Sequence, residues 1–284
     1  MQALFFSLSL QSPASTLFLV SSPGLPIFRQ MQPTLYLRAD DAALSPGSNA
    51  AIEAATLTCP NIGLMAVGPA LHDAAERFRS RSDLCLGLHF TLNSEWTSLR
   101  WGPLAPEERV PGLIQADGTF LPNPWRLPEG FAYDPLQVEA EMHTQLDKLR
   151  SLGLTIRYLD SHMACLRTRP ELEDLARRFA EKEGLAYPDS MNKLKHGPCE
   201  GGLESALARW SALLDTLPGG PSIAIFHPAE ADGVMETLAE SPAQPGPLPV
   251  RQAERDLLSS PAFAALLQSK SITVQRFDRP ATSY

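Results

Sequence analysis

The sequence predicts an α/β fold, a single domain in which strands alternate with helices around a parallel sheet or barrel. Three observations predict it. Short apolar runs recur between longer amphipathic stretches. Prolines and glycines, 26 and 18 of them in 284 residues, punctuate the boundaries. Aspartates and histidines gather where the apolar runs end. The length suits one α/β domain of about 250 residues, and a 44% hydrophobic content allows a sizeable core.

Residues 1–30 are apolar and Ser-rich, with no Lys and no Arg before Arg29. They are expected to lie outside the functional fold, which leaves residues 31–284 as the domain. A signal or export segment is the competing reading, although Pro13 and Ser15 interrupt the apolar run short of bilayer-spanning length. The first strand is then LYLRADD, residues 35–41, ending in Asp40 and Asp41. Ser45-Pro46 supplies a cap and a first-turn proline for a helix to about Thr58. IGLMAV (62–67) reads as a strand, 70–79 as a helix, and LCLGLHF (84–90) as a strand.

Residues 93–133 break this rhythm with tryptophans at 96, 101 and 125 and a turn at Asp117-Gly118. Such an excursion is a functional wall or a cover for exposed core. Asp134-Pro135 opens a helix to about Leu152, with Leu136, Met142, Leu146 and Leu149 on its apolar face. LTIRYLD (154–160) is the next strand, and a helix from Pro170 ends at Gly184. A helix at 203–216, the strand SIAIF (222–226), a Pro-rich surface loop (241–249), a helical region at 251–268 and a final strand SITVQRF (271–277) complete the chain.

Composition narrows the partners. A net charge of −8, spread along the chain, disfavours nucleic acid, and no segment calls for a membrane. Cys59, Cys85, Cys165 and Cys199 form no C-x-x-C pair and read as buried thiols, which makes a reducing cytoplasm the default location. Oligomers are common on general grounds, but no segment identifies an interface.

Asp40 and Asp41, His89, Asp160 with His162, and His227 all sit at the C-terminal ends of strands, the edge where βα folds assemble their sites. Side by side on a strand, Asp40 and Asp41 point to opposite faces unless the chain is already turning there. A buried carboxylate pair is costly without a cation. Asp41, His89 and His162 supply two imidazoles and a carboxylate, a common ligand set for Zn²⁺ and related ions. Water on such an ion becomes a nucleophile, Asp40 could take its proton, and His227 could protonate a leaving group. The plainer account makes these residues turn formers and hydrogen-bonded structural histidines, but four strand ends each carrying Asp or His are harder to explain that way. His72, His143 and His196 lack that placement and read as solvated. No dinucleotide, P-loop, nucleophile-elbow or H-E-x-x-H motif is present.

ADDAALSPGSNAAI (39–52), GLHFTLNSEW (87–96), RWGPL (100–104), YLDSHMACL (158–166) and FHP (226–228) together resemble the YdjC-like carbohydrate deacetylases, which include the chitooligosaccharide deacetylases. The DSHM form together with TLNSEW looks closer to a branch of uncharacterised specificity. The resemblance implies an irregular, TIM-barrel-like β/α barrel that removes acetyl groups from N-acetylated sugars or oligosaccharides through a divalent ion, magnesium or zinc. It implies Asp41, His89 and His162 as ligands, Asp40 as base and His227 as acid. Ala164 and Leu166 stand where some members carry histidines, and Ala42 and Ala43 stand where an aromatic residue and a glycine are frequent. A catalytically silent sugar-binding barrel and a metal-dependent phosphoesterase are the alternatives.

Overall fold

Strand β1 (Pro33–Ala42) is buried along almost its whole length, because it pairs on both sides and is covered on both faces. In the computed structural model, which describes residues 33–278 except 189, 190, 198, 200, 240 and 242, it sits near the middle of a six-stranded parallel sheet. The expectation for residues 1–30 lies outside the described residues. The other strands are β2 (Asn61–Leu64), β3 (Cys85–Phe90), β4 (Ile156–Ser161), β5 (Asn192–Lys193) and β6 (Gly220–Phe226), in the order β4-β3-β2-β1-β6-β5. Helices α1 (Pro46–Ala55), α2 (Leu71–Phe78), α3 (Pro135–Ser151), α4 (Pro170–Glu183), α5 (Gly202–Asp215), α6 (Leu248–Leu258) and α7 (Pro261–Ser269) make the crossovers and cover the outside.

The sheet curls, and one short segment shows how far. Ala186 bonds to the free edge of β4, with Leu159 N donating to its carbonyl and its own N to Arg157 O, both at 2.9 Å. Six residues later Asn192 pairs with Ser222 on the opposite edge. Laid flat, those two positions would be six strand spacings apart, about 29 Å, whereas six residues reach about 21 Å at most. The edges must bend towards one another. This is a partial barrel: among the described residues there are six strands rather than the eight of a closed TIM barrel.

Several expectations need correction. SITVQRF is not a strand but a single bridge, Val274 to Leu35, in the slot below the short β2. Ser271 is left-handed (φ 55°), and the Asn61 side chain takes the place of a ladder by donating to Gln275 O and accepting from Phe277 N. The helical region at 251–268 is two helices, because Ser260 caps a new one at Ala262 N with Pro261 in its first turn. Leu136 is 74% exposed; Val138 takes the core-facing place in that first turn of α3. IGLMAV forms a strand only as far as Leu64. By contrast Ser45 caps α1 as expected, exchanging hydrogen bonds with Ser48.

The long segment 93–133 is packed, with Trp96, Trp101, Val110, Leu113 and Phe120 in the core. Glu141 of α3 anchors it by accepting from Leu104 N (2.9 Å) and Ala105 N (2.8 Å). All four cysteines are buried and none forms a disulfide. His143 and His196 are half-buried rather than solvated: His143 packs on Phe179, and His196 stacks on Phe226 and donates from Nε2 to Ile225 O. No helix among the described residues is long and apolar enough to cross a membrane.

Candidate metal centre

Inside the curl the strands contribute residues of one parity. Tyr36, Cys85, Tyr158, Ile223 and Phe277 form an apolar lower layer. Directly above it lies charge. Arg38 Nη2 is 2.7 Å from Asp40 Oδ2 and 2.9 Å from Asp160 Oδ2, all three side chains at most 4% exposed. Glycines make the room: a Cβ on Gly87 would enter the Tyr158 ring, and one on Gly63 would lie 2.6 Å from Asp40 Oδ1.

Asp41 escapes the strand's alternation because its backbone is already turning, with φ at 64°. Aspartate tolerates that left-handed conformation better than most residues. Its Oδ1 lies 3.2 Å from His162 Nδ1 and 3.5 Å from His89 Nε2, and the two ring nitrogens are 3.2 Å apart. β3 presents His89, and His162 follows β4 directly, so the sheet register brings both imidazoles to one end. Each ring's other nitrogen faces a carboxylate, His89 Nδ1 at 2.7 Å from Asp160 Oδ2 and His162 Nε2 at 3.0 Å from Glu95 Oε1. Such a carboxylate orients a ligating imidazole and raises its basicity.

The electrostatics suit a bound cation. Burial opposes charge on every one of these groups. Even so, Asp160 and Asp40 hold His89 well above its usual range, and Glu95 and Asp41 raise His162 to about 9. Burial likewise opposes ionisation of Asp41, but Arg251, with Nη2 at 2.7 Å from Oδ2, and His162 keep its carboxyl well below the usual range. Asp41 Oδ1 is buried and no hydrogen bond is aligned onto it. Three donor atoms of the right types therefore converge on one point with an acceptor to spare. A second group, Asp40, His89 and Asp160, is equally close-knit, but there the Arg38 guanidinium already supplies the cation.

The cluster floors a cavity of about 500 Å³ walled by Glu95, Trp96, Met163, His227, Arg251 and Glu254. Asp41 and His162 line it, while Asp40 lies below, its Oδ1 buried without a donor and 3.9 Å from His89 Nδ1. His227 stands on the wall with its backbone N donating to Glu254 Oε2 at 2.6 Å. Burial pushes the His227 imidazole down to about 4 and the Glu254 carboxyl up to about 7. Arg251 lies 5.8 Å over the Trp96 ring, and its Nη1 is buried with no partner.

A sequence profile described as YdjC-like protein matches residues 34–201, more than half of the chain. The chain belongs to the YdjC-like family. Among its curated relatives are proteins named carbohydrate deacetylase from Listeria welshimeri serovar 6b, 29% identical, and carbohydrate deacetylase 1 from Listeria innocua serovar 6a, 27% identical. Each match runs over 155 residues, 54% of this chain and 59% of the relative, so the chain spans less than two thirds of the relatives it matches. A crystal structure from Enterococcus faecalis V583, provisionally called a cellobiose-phosphate cleavage protein, aligns with a TM-score of 0.71 at 19% identity, over 87% of this chain and 98% of that one. At that identity the likeness shows the fold alone.

Five site residues of this YdjC-like chain were not singled out from its sequence as having a role: Arg38, Glu95, Asp160, Arg251 and Glu254. Arg38 had a signal, since it shares β1's inward parity with Asp40. Glu95 lies on an irregular segment with no periodicity to aim it. Arg251 and Glu254 belong to α6, where charged residues ordinarily face water.

Proposed function

We propose that this chain is a metal-dependent hydrolase that removes acetyl groups from N-acetylated sugars. The observation that carries this reading is the convergence of Asp41 Oδ1, His89 Nε2 and His162 Nδ1 within 3.5 Å of one another at a cavity floor, each imidazole backed by a carboxylate. The names of the curated relatives support the substrate class. These three residues would hold a divalent ion that, when bound, polarises an acyl carbonyl and acidifies water. Two imidazoles with one carboxylate favour zinc or another borderline ion over magnesium, which prefers oxygen donors.

The remaining residues divide the work. Asp40 Oδ1, the donor-less acceptor below the cluster, takes the proton of the attacking water. Arg251 Nη1 donates to the acyl oxygen as negative charge develops there, a charged donor already desolvated and without a partner. His227 delivers a proton to the leaving amine. Burial holds its imidazole down to about 4, so it is neutral before reaction and must first be protonated, while Glu254 fixes its backbone on the wall.

Elemental mass spectrometry of unchelated protein, alongside acetate release from N-acetylated sugars, tests the reading. About one divalent ion per chain is expected. An Asp41→Ala, His89→Ala double variant should lose it, with a rate loss exceeding the roughly 100-fold typical of an outer-sphere change. Metal without acetate release would redirect the reading to another hydrolysis, such as that of a phosphoester. No ion even after adding zinc, magnesium, manganese or cobalt would leave a silent sugar-binding barrel.

A further inference from the structure

We propose that Trp125 and the hollow beside it form a second sugar subsite, so that the cavity takes a chain of at least two pyranose rings. The three tryptophans of segment 93–133 have different fates. Trp96 and Trp101 are each 6% exposed, Trp96 in the wall of the metal cavity and Trp101 in the core, whereas Trp125 is 56% exposed. It is the one large aromatic side chain among the described residues left in that state. Yet it is pinned at both ends: its backbone N donates to Asn123 Oδ1 at 2.9 Å, and its ring Nε1 donates to Met163 O at 2.8 Å. A rigid aromatic side chain whose donor is already used and whose ring is left to water is a stacking platform rather than a stray apolar residue.

Its position ties it to the metal cavity. Met163 follows His162 directly and lines the cavity of the cluster, while its carbonyl holds the indole. Met163 and Ala164 are both left-handed, with φ of 47° and 53°, a conformation that is costly outside glycine and clusters where a site demands it. Trp125 also lines a hollow of about 330 Å³ together with Pro124, Phe131, Thr168 and Arg169. An aromatic platform with hydroxyl and guanidinium groups around it suits a pyranose, which offers a C–H face and a ring of hydroxyls. The chain's net charge of −8 argues against a stacked nucleobase, which would arrive with phosphates.

The inference rests on the deacetylase reading only for where the acetamido group sits. Its test compares N-acetylglucosamine with its β-1,4-linked dimer and trimer for wild type, Trp125→Ala and Trp125→Phe. In Trp125→Ala the ratio of kcat/KM for the dimer to that for the monomer should fall at least tenfold, chiefly through KM, and Trp125→Phe should restore most of it. An unchanged ratio, or equal loss on monomer and dimer, overturns the subsite while leaving the activity intact. If wild type releases no acetate from any of the three, titration calorimetry with the dimer decides. Binding that depends on Trp125 keeps the subsite and sinks the activity, and binding that is absent or independent of Trp125 overturns the subsite.

Discussion

Two clusters of carboxylate and imidazole share His89, and they differ in what balances their charge. In the lower one the cation is part of the chain: Arg38 sits between Asp40 and Asp160 and cannot leave. In the upper one Arg251 satisfies only Oδ2 of Asp41, and the rest of the balance is made by protons on His89 and His162. A proton can be exchanged for a ligand and a guanidinium cannot. The lower cluster therefore carries its own cation and the upper one is where an added ion would bind, although the same residue types build both.

Arg38→Met breaks the comparison most severely. It leaves Asp40 and Asp160 buried without their cation, and breaking a buried ion pair by removing one partner costs about 3–5 kcal/mol. A loss of that size in urea unfolding of the metal-free protein is expected, with the midpoint moving and the slope unchanged. Unaltered stability with lost metal would mean that Arg38 belongs to the site after all.

Glu95→Gln sharpens the upper half. The carboxylate that orients His162 at 3.0 Å becomes an amide, which weakens the ring as a ligand. Metal affinity should fall about 10–100-fold, measured by competition with a chelator, while stability without metal changes less than in Arg38→Met. The sign of the proton balance gives a companion measurement. In the metal-free protein His162 titrates near 9 and so carries a proton at neutral pH. Zinc uptake by wild type in weak buffer should acidify the solution, and Glu95→Gln should release fewer protons, because the imidazole loses the Glu95 charge that helps keep it protonated. Equal release from both proteins would remove Glu95 from this role.

How much of this was legible in the sequence follows from which residues repeat with the backbone's period. The strand ends carrying Asp41, His89 and His162 could be read, because alternation and run length locate a strand's C-terminal end, and the structure brings these three side chains together. The capping of α1 by Ser45 was legible for the same local reason. Arg251 reaches Asp41 across 210 positions of sequence, and Glu95 reaches His162 from an irregular segment, so neither pairing has a local signal. The final strand failed because its ladder was taken over by a side chain, Asn61, that no β-propensity encodes. The irregular barrel was legible as a curled α/β sheet, but how far it closes was not, because the closing segment makes only a single bridge at Ala186 and a two-residue strand at Asn192–Lys193.

The smallest expected effect concerns the residue that turns the chain away from both clusters. Ala43 is left-handed, with φ at 81°, and its N–H is held by Asn49 Oδ1 at 2.7 Å. Gly68 presses from the other side, where any Cβ would meet the Ala43 carbonyl. A non-glycine residue in this region carries roughly 1–2 kcal/mol of steric cost, which fits the glycine frequent at this place in the proteins the sequence resembles. Ala43→Gly relieves that cost but returns about 0.4–1 kcal/mol of backbone freedom to the unfolded chain. The net should be a stabilisation of about 0.5–1 kcal/mol, visible as a rise in Tm of a few degrees or less in a chain of this size. Metal content should not move, since Ala43 touches neither cluster. A destabilised Ala43→Gly would show that the turn is set by the Asn49 bond and the surrounding packing rather than carried against its own strain.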